Sequence, residues 1–381
     1  MPTTIGFPTT CFPDSDQELL LKAAILEGPE AIEAWQQWKS RVDIDDIDYA
    51  DFRMVPLLYR NLLSLGVKDP LMDRLKGVYR YSWARNHRVI HRVSKVLDLF
   101  QRQGIPTALL KGASLAFTVY RNLGVRYMDD FDLLVPLADA PRAIELLHQS
   151  GWRQAFVTEK VFTPAAHSTG FLNPEGDSMD LHWHVLNQCC DADDDIVFWE
   201  KARPLEVEGI PTHALCPTDQ LFHACIHGAR WNTVAPIRWV ADAVGLIRTY
   251  PDDIDWQRIV ELSRRLSLVV PIRQTFLYLS ERFGVPIPSS CLNDLKTLPD
   301  TPWQRREFLA ETSSRRWLDE FPTLWHRYHR TQHSKKHRFK PYGFLRYLQN
   351  YCGLDHAWQV PVFLLKRFIP RARKNLARAA G

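Results

Sequence analysis

The chain has 381 residues, a formal net charge of +4 at neutral pH, 45% hydrophobic residues and 24% charged residues, which is typical of a globular protein. It has no run of about 18 apolar residues and no basic region followed by an apolar segment at its start, so we expect neither a membrane span nor a secretory signal. Its seven cysteines form no C-x-x-C pair, which favours a reduced, cytoplasmic protein.

The first hundred residues are predicted to be helical. Apolar residues recur at helical spacing within 19–25, 55–63 and 89–100. Gly104-Ile105-Pro106 then ends the last of these helices.

A mixed region follows. We predict strands at 107–110 and 131–135, a further strand from Gly151-Trp152, and strands at 171–172 and 178–185. We predict helices at 114–120 and 141–150.

From about residue 215 the pattern is helical again. A helix is predicted to start at Pro217, another covers 237–247, and two more lie within 255–284. Residues 286–302 are predicted to be rich in loops, and the basic, aromatic remainder to be less regular.

The predicted organisation is a helical region (1–100), an α/β core (101–213), a helical domain (214–300) and a basic aromatic extension (301–381). Flanking helices must cover the sheet of the core, because a sheet cannot stand alone.

The most informative segment of the sequence begins at Lys111-Gly112-Ala113-Ser114 and continues to Asp130-Phe131-Asp132. Alternate side chains of a strand share a face, so Asp130 and Asp132 are predicted to lie side by side. Two carboxylates ~5 Å apart repel by roughly 3 kcal/mol at an effective dielectric constant near 20. We therefore predict a compensating cation, and magnesium prefers such oxygen ligands. The alternative is a solvated acidic strand end.

A third carboxylate, Asp180, occurs in the segment Asp180-Leu181-His182-Trp183-His184. Asp180, His182 and His184 are predicted to share one face of a strand. Asp180 is a candidate metal ligand and proton acceptor, with a strand-end carboxylate as the alternative. These histidines, together with His223 and His227, also suggest a zinc site, but the spacing is a weak signal for zinc.

Together these motifs resemble the uncharacterised bacterial nucleotidyltransferase family of the DNA-polymerase-beta-like superfamily. The resemblance covers most of 15–285 and rests on Lys111-Gly112, Tyr120, Arg126, Asp130-Phe131-Asp132-Leu133-Leu134-Val135, Asp180-Leu181-His182-Trp183, 221–228 and 238–242. It implies an α+β fold, in which a polymerase-beta-like core of a small mixed sheet with helices is embedded in a largely helical chain. Ala113 departs from the Gly-Gly or Gly-Ser turn that is usual in the superfamily.

The resemblance also implies a reaction. A nucleoside monophosphate would pass from a nucleoside triphosphate, expected to be ATP, to a hydroxyl-bearing acceptor, with two Mg²⁺ ions or with Mn²⁺. The resemblance implies that Asp130 and Asp132 bind the metal, and that Asp180 binds the metal and activates the acceptor. Gly112 and Ser114 would approach the phosphates, and Lys111 and Arg126 would neutralise their charge. His182 would orient Asp180 or contact phosphate.

The acceptor stays open among a small molecule, a sugar, a peptide or protein, and RNA. A toxin-like enzyme acting on transfer RNA and a catalytically silent nucleotide-binding scaffold are the alternatives. Residues 325–351 could bind RNA or form a helical cap, and 360–380 could contact a membrane surface or pack onto the body.

Overall fold

The computed structural model describes residues 11–155, 161–313, 317–332 and 341–365. Its first part is helical, as predicted. The helices are α1 (Ser15–Ile25), α2 (Gly28–Arg41), α3 (Tyr49–Phe52), α4 (Val55–Ser64) and α5 (Met72–Arg102). The last of these is about 46 Å long at 1.5 Å per residue, and it ends just before Gly104, whose φ of +68° closes the turn.

Within the described residues, seven strands form one mixed sheet in the order β3-β4-β5-β2-β1-β7-β6. The strands are β1 (Ala108–Leu110), β2 (Asp130–Leu134), β3 (Arg153–Gln154), β4 (Ser168–Leu172), β5 (Ser178–His182), β6 (Arg203–Val207) and β7 (Ile210–Ala214). β2 lies at the centre of the sheet, antiparallel to β1 and parallel to β5. The predicted strand at 178–185 ends three residues early, because the backbone N–H groups of Trp183 and His184 donate to the carbonyl of His167 instead of continuing the ladder.

Helices interrupt and cover the sheet. They are α6 (Lys111–Leu115), a π-helical turn (Ala116–Tyr120), α7 (Ala140–Gln149) and α8 (Ala192–Trp199). The helix predicted at 114–120 therefore begins earlier, directly after β1. An apolar cluster that includes Phe100, Leu133 and Leu147 packs α5 and α7 against the sheet.

The second helical part comprises α9 (Pro217–Gly228), α10 (Arg238–Thr249), α11 (Trp256–Arg265), α12 (Val269–Phe283) and α13 (Ser289–Thr297). Our prediction of loops over 286–302 was wrong at α13. Prolines flank this nine-residue helix rather than interrupt it, and Cys291 and Leu295, four residues apart, are buried.

The C-terminal part is also more regular than predicted, with α14 (Pro302–Thr312), α15 (Trp317–Gln332) and α16 (Pro341–Tyr351). Tyr328, Phe344 and Tyr347 are buried in a common cluster, which favours the helical-cap alternative for these aromatic side chains. Two buried ion pairs, Arg327 with Glu311 and Arg330 with Glu307, join α15 to α14. Most of the segment 360–380, for which we considered a membrane contact, lies outside the described residues.

The largest apolar core joins α1, α2 and α4 to α9–α13, so the N-terminal and later helices share one interior. The predicted α+β class, with a mixed sheet in a largely helical chain, is confirmed. The predicted domain boundaries stay a prediction. None of the helices in the described ranges has both the length and the apolar character that crossing a bilayer requires.

Candidate functional site

The three predicted carboxylates meet on one face of the sheet. β2 and β5 are parallel and in register, with Asp132 opposite Asp180, so their side chains emerge next to each other. One ligand atom each from Asp132, Asp180 and His182 lies within 4.8 Å of the other two. Asp130 is next to this group rather than in it. Gly170 faces Asp180 on β4, where an added Cβ would come within 3.1 Å of Asp180 Oδ1, so this position leaves room for the carboxylate.

Asp132 is the buried centre of the group, with its residue 5% exposed. Lys111 Nζ donates to Asp132 Oδ1, and His182 Nε2 is 3.0 Å from the same oxygen. Burial alone would raise the pKa of Asp132, but Lys111 and His182 outweigh burial and hold it well below its ordinary value. Asp132 therefore stays ionised.

The other two carboxyls have the opposite shift. Removal of water, followed by repulsion from Asp132 and Asp180, raises the pKa of Asp130 to about 7. The pKa of Asp180 is also raised, mainly by burial and to a lesser extent by repulsion from the Asp132 carboxylate. Asp130 is solvent-accessible, but it lies in a concave wall where protein replaces much of its hydration.

This charge balance fits a divalent cation. Three ionised carboxylates with one ammonium, that of Lys111, leave two negative charges in excess. Burial, and then this mutual repulsion, raise the pKa of Asp130 and Asp180. Carboxylate oxygens are the ligands that Mg²⁺ and Mn²⁺ prefer. His182 Nδ1 is buried and has no hydrogen-bond partner, so the imidazole is held by its contact with Asp132.

The shift of Asp130 predicts how cation binding depends on pH. A cation must displace the proton of Asp130, whose pKa is about 7, so the apparent affinity should rise with pH and level off above 7. For one proton we expect about a tenfold gain from pH 6 to pH 8. Titration with Mn²⁺ followed by its paramagnetic signal measures this gain. A flat profile over that range would contradict the predicted state of Asp130.

Arg126 is committed to another carboxylate. Its Nε and Nη2 donate to the two oxygens of Asp242 at 2.9 and 2.8 Å, and Tyr120 donates its hydroxyl to Asp242 at 2.8 Å. Gly112 permits this placement, because an added Cβ would come within 3.0 Å of Arg126 Nη1. From the sequence we assigned Arg126 to the triphosphate, but Asp242 occupies the Nε–Nη2 edge of its guanidinium, and Nη1 donates to the carbonyl of Tyr127 at 3.2 Å.

A cavity of about 260 Å³ opens beside the carboxylates. The predicted site residues that line it are Lys111, Gly112, Ser114, Arg126, Asp130, Asp132 and Asp180. His182 lies behind Asp132 and does not line this cavity. His184, which we placed on the same face, is instead buried against Asp195 and the carbonyl of Pro164.

Helix α9 supplies further cavity residues, of which we named His223 and His227 from the sequence only as candidates for a zinc site. Gln220 accepts a hydrogen bond from Ser114 Oγ at 3.3 Å, and His223 and His227 line the same wall. Burial lowers the pKa of His223 to about 3, so its imidazole is neutral. The apolar helical pattern around 221–228 marked this helix, but nothing in it showed which side chains face the cavity.

The N-terminal region contributes Arg53, which no sequence signal indicated. Its side chain lines the cavity, its Nε lies 3.7 Å from Asp129 Oδ2, and that nitrogen is buried without a hydrogen-bond partner. A buried guanidinium nitrogen at a cavity wall is a candidate anion contact.

A family model with the description "uncharacterised nucleotidyltransferase" matches residues 50–284 of the chain. None of the curated proteins that were compared matches it. Two solved structures are similar to part of this chain, each at a TM-score of 0.35. The solution structure of the antibiotic-resistance factor ANT(2'')-Ia is 11% identical and covers 52% of this chain and 98% of its own. The crystal structure of an antigenic nucleotidyltransferase-like protein from Paracoccidioides brasiliensis is 14% identical and covers 54% of this chain and 95% of its own.

Proposed function

The chain belongs to the family of uncharacterised nucleotidyltransferases, and from this premise we propose that it transfers a nucleoside monophosphate from a nucleoside triphosphate to an acceptor hydroxyl. The observation that carries this proposal is the register of β2 and β5, which brings Asp132 and Asp180 together at a cavity wall beside Asp130. Two facing carboxylates with a third beside them suit metal-assisted phosphoryl-group chemistry.

Asp130, Asp132 and Asp180 would hold the cation, which we propose to be Mg²⁺ with Mn²⁺ as a substitute. When bound, it would supply positive charge to the phosphate oxygens. His182 fixes the rotamer of Asp132 through its 3.0 Å contact, so its proposed role is to orient this carboxylate. This role replaces the predicted contact of His182 with Asp180 or phosphate.

The triphosphate would lie on the cationic side of the cavity. Lys111, which contacts Asp132, and Arg53, which lies 3.7 Å from Asp129, both line this cavity. Gly112 and Ser114 lie in the short helix between β1 and the π-helical turn. We propose that Lys111 and Arg53 neutralise the phosphates. Arg126 instead positions the wall through Asp242.

Asp180 is the proposed proton acceptor. Its raised pKa makes it a better base than an ordinary surface aspartate. The acceptor hydroxyl gives its proton to this carboxylate and its oxygen bonds to the α-phosphorus, while the bond from that phosphorus to the bridging oxygen breaks and pyrophosphate leaves.

The proposal is tested with α-labelled nucleoside triphosphates, Mg²⁺ or Mn²⁺, and cell lysate as the source of acceptors. We expect a labelled product with the wild-type chain, none in the presence of a chelator, and a loss of more than about 100-fold for Asp180→Asn. The matched control is Asp177→Asn, three residues earlier, where the carboxylate pairs with Arg92 at 3.2 Å. Equal labelling by wild type and Asp180→Asn would contradict the assignment, and metal-dependent nucleotide binding without any transfer would favour a silent scaffold.

A further inference from the structure

Helix α5 carries an unusually basic surface. The 20 residues from Lys76 to Lys95 include six lysines and arginines and no aspartate or glutamate. We call the exposed residues Lys76, Arg80, Trp83, His87, Arg88 and Lys95 the α5 stripe. Their spacing of three, four, seven and eight residues places them on one side of the helix, over about 28 Å of its length.

The charges of this stripe are not balanced within the protein. Arg92, beside it, pairs with Asp177 and Glu175, and Arg85 lies 3.4 Å from Asp129. Within the described parts of the chain, the four lysines and arginines of the α5 stripe form no ion pair. Glu208, 3.5 Å from the exposed His91 on the same side of the helix, is a negative group beside these cations. The face still carries a clear excess of positive charge, which favours an anionic partner.

Exposed aromatic rings accompany these charges. Trp83 is 47% exposed, and its ring lies 4.0 Å from that of His87, centroid to centroid. Tyr81, which directly follows Arg80 in α5, is 51% exposed. Flat rings beside unpaired cations suit the bases and phosphates of a single-stranded nucleic acid. The stripe presents no exposed leucine, isoleucine or phenylalanine for insertion into lipid.

The stripe leads to the catalytic cavity. The ring of Tyr81 stacks on that of Tyr127 at 6.2 Å, and Arg85 Nε donates to the carbonyl of Met128 at 2.9 Å. Met128 and Asp129 line the cavity that contains the carboxylates. A strand held along α5 would therefore have an end within reach of that cavity.

We propose that the α5 stripe binds a single-stranded nucleic acid whose terminal hydroxyl is the nucleotide acceptor. This inference rests on the proposed nucleotidyl transfer, since it names the acceptor of that reaction. It places recognition on α5 and not on residues 325–351, where Tyr328, Phe344 and Tyr347 are buried in a common cluster.

The test measures binding of dye-labelled 12-nucleotide RNA and DNA strands by fluorescence anisotropy at several salt concentrations. For Lys76→Ala/Arg80→Ala/Arg88→Ala we expect more than about tenfold weaker binding at low salt. Each phosphate contact to a single strand contributes about 0.7 to the slope of log affinity against log salt, so losing three contacts should make this slope shallower by about 2. Trp83→Ala should weaken binding at least about fivefold with the slope unchanged.

The matched control is the triple variant Lys201→Ala/Arg264→Ala/Lys296→Ala, which removes three exposed basic residues outside α5. It should bind the strands as the wild type does. Equal weakening in the two triple variants, or no binding by the wild type, overturns the inference. The RNA and DNA arms decide which of the two nucleic acids is preferred.

A second measurement separates this inference from the proposed function. Transfer of label to the end of the bound strand supports both. Transfer to another acceptor, with no binding of either strand, overturns the α5 inference alone. Strand binding that depends on the stripe, with no transfer to any acceptor, overturns the proposed transfer and with it the assignment of the strand as acceptor.

Discussion

Asp132→Asn is expected to reduce nucleotidyl transfer by more than about 100-fold. Mutating a residue that only orients a metal ligand typically costs about 10–100-fold, and losing a proposed ligand should cost more. The substitution keeps the size of the side chain and removes its charge. Asp132 is the carboxylate that both Lys111 and His182 contact, and it stays ionised while its two neighbours resist ionisation. Initial rates of label transfer, together with Mn²⁺ affinity, measure the effect.

Asp129→Asn is the comparison for this prediction. Asp129 is three residues before Asp132, but its side chain is directed to Arg85 and Arg53 at 3.4 and 3.7 Å. The Asp129→Asn variant should therefore lower Mn²⁺ affinity much less than Asp132→Asn does. Similar losses of Mn²⁺ affinity in the two variants would show that general negative charge, and not a specific ligand set, holds the cation.

The sequence was sufficient for the carboxylates because their placement follows from local rules. Alternation along a strand places Asp130 and Asp132 on one face, and the same rule places Asp180 with His182. The structure confirms both pairs of side chains and adds the register that joins β2 to β5. That register depends on which strands become neighbours, which periodicity alone does not specify.

The partners of the site could not be predicted for a related reason. Arg126 and Asp242 are 116 residues apart, and their pairing depends on how α10 packs beside the sheet. Arg53 reaches the cavity from a helical region with no motif of its own. The position of Lys111 before a glycine suggested a phosphate contact, but it gave no sign of the contact between Lys111 and the Asp132 carboxylate. Each contact follows from tertiary packing, on which a local pattern carries no information.

The C-terminal helices illustrate the opposite error. Their basic and aromatic composition favoured an irregular extension, but Tyr328 packs against Phe344 and Tyr347 with ring centroids 5.5 and 5.6 Å apart. Arg327 and Arg330 are buried with glutamates and are not free for a ligand. Composition alone did not separate side chains that face the interior from those that face solvent.

Asp242→Ala is expected to lower the free energy of unfolding by about 3–5 kcal/mol, because it leaves the buried guanidinium of Arg126 without its counter-charge. Burial would lower the pKa of Arg126, but Asp242 raises it above its ordinary value, so the group is charged in the folded state. The variant also deprives the Tyr120 hydroxyl of its 2.8 Å acceptor. Urea denaturation followed by circular dichroism gives the change.

Two further variants decide what such a loss means. Asp253→Ala removes an exposed pair with Arg203, in which both side chains are about half exposed, and should cost less than about 1 kcal/mol. Arg126→Met/Asp242→Leu removes both buried charges and should be more stable than Asp242→Ala. If the double variant were as unstable as the single one, packing and not an uncompensated charge would explain the loss. If it were stable but bound nucleotide weakly, the pair would serve to position the cavity wall that α10 shares with the segment before β2.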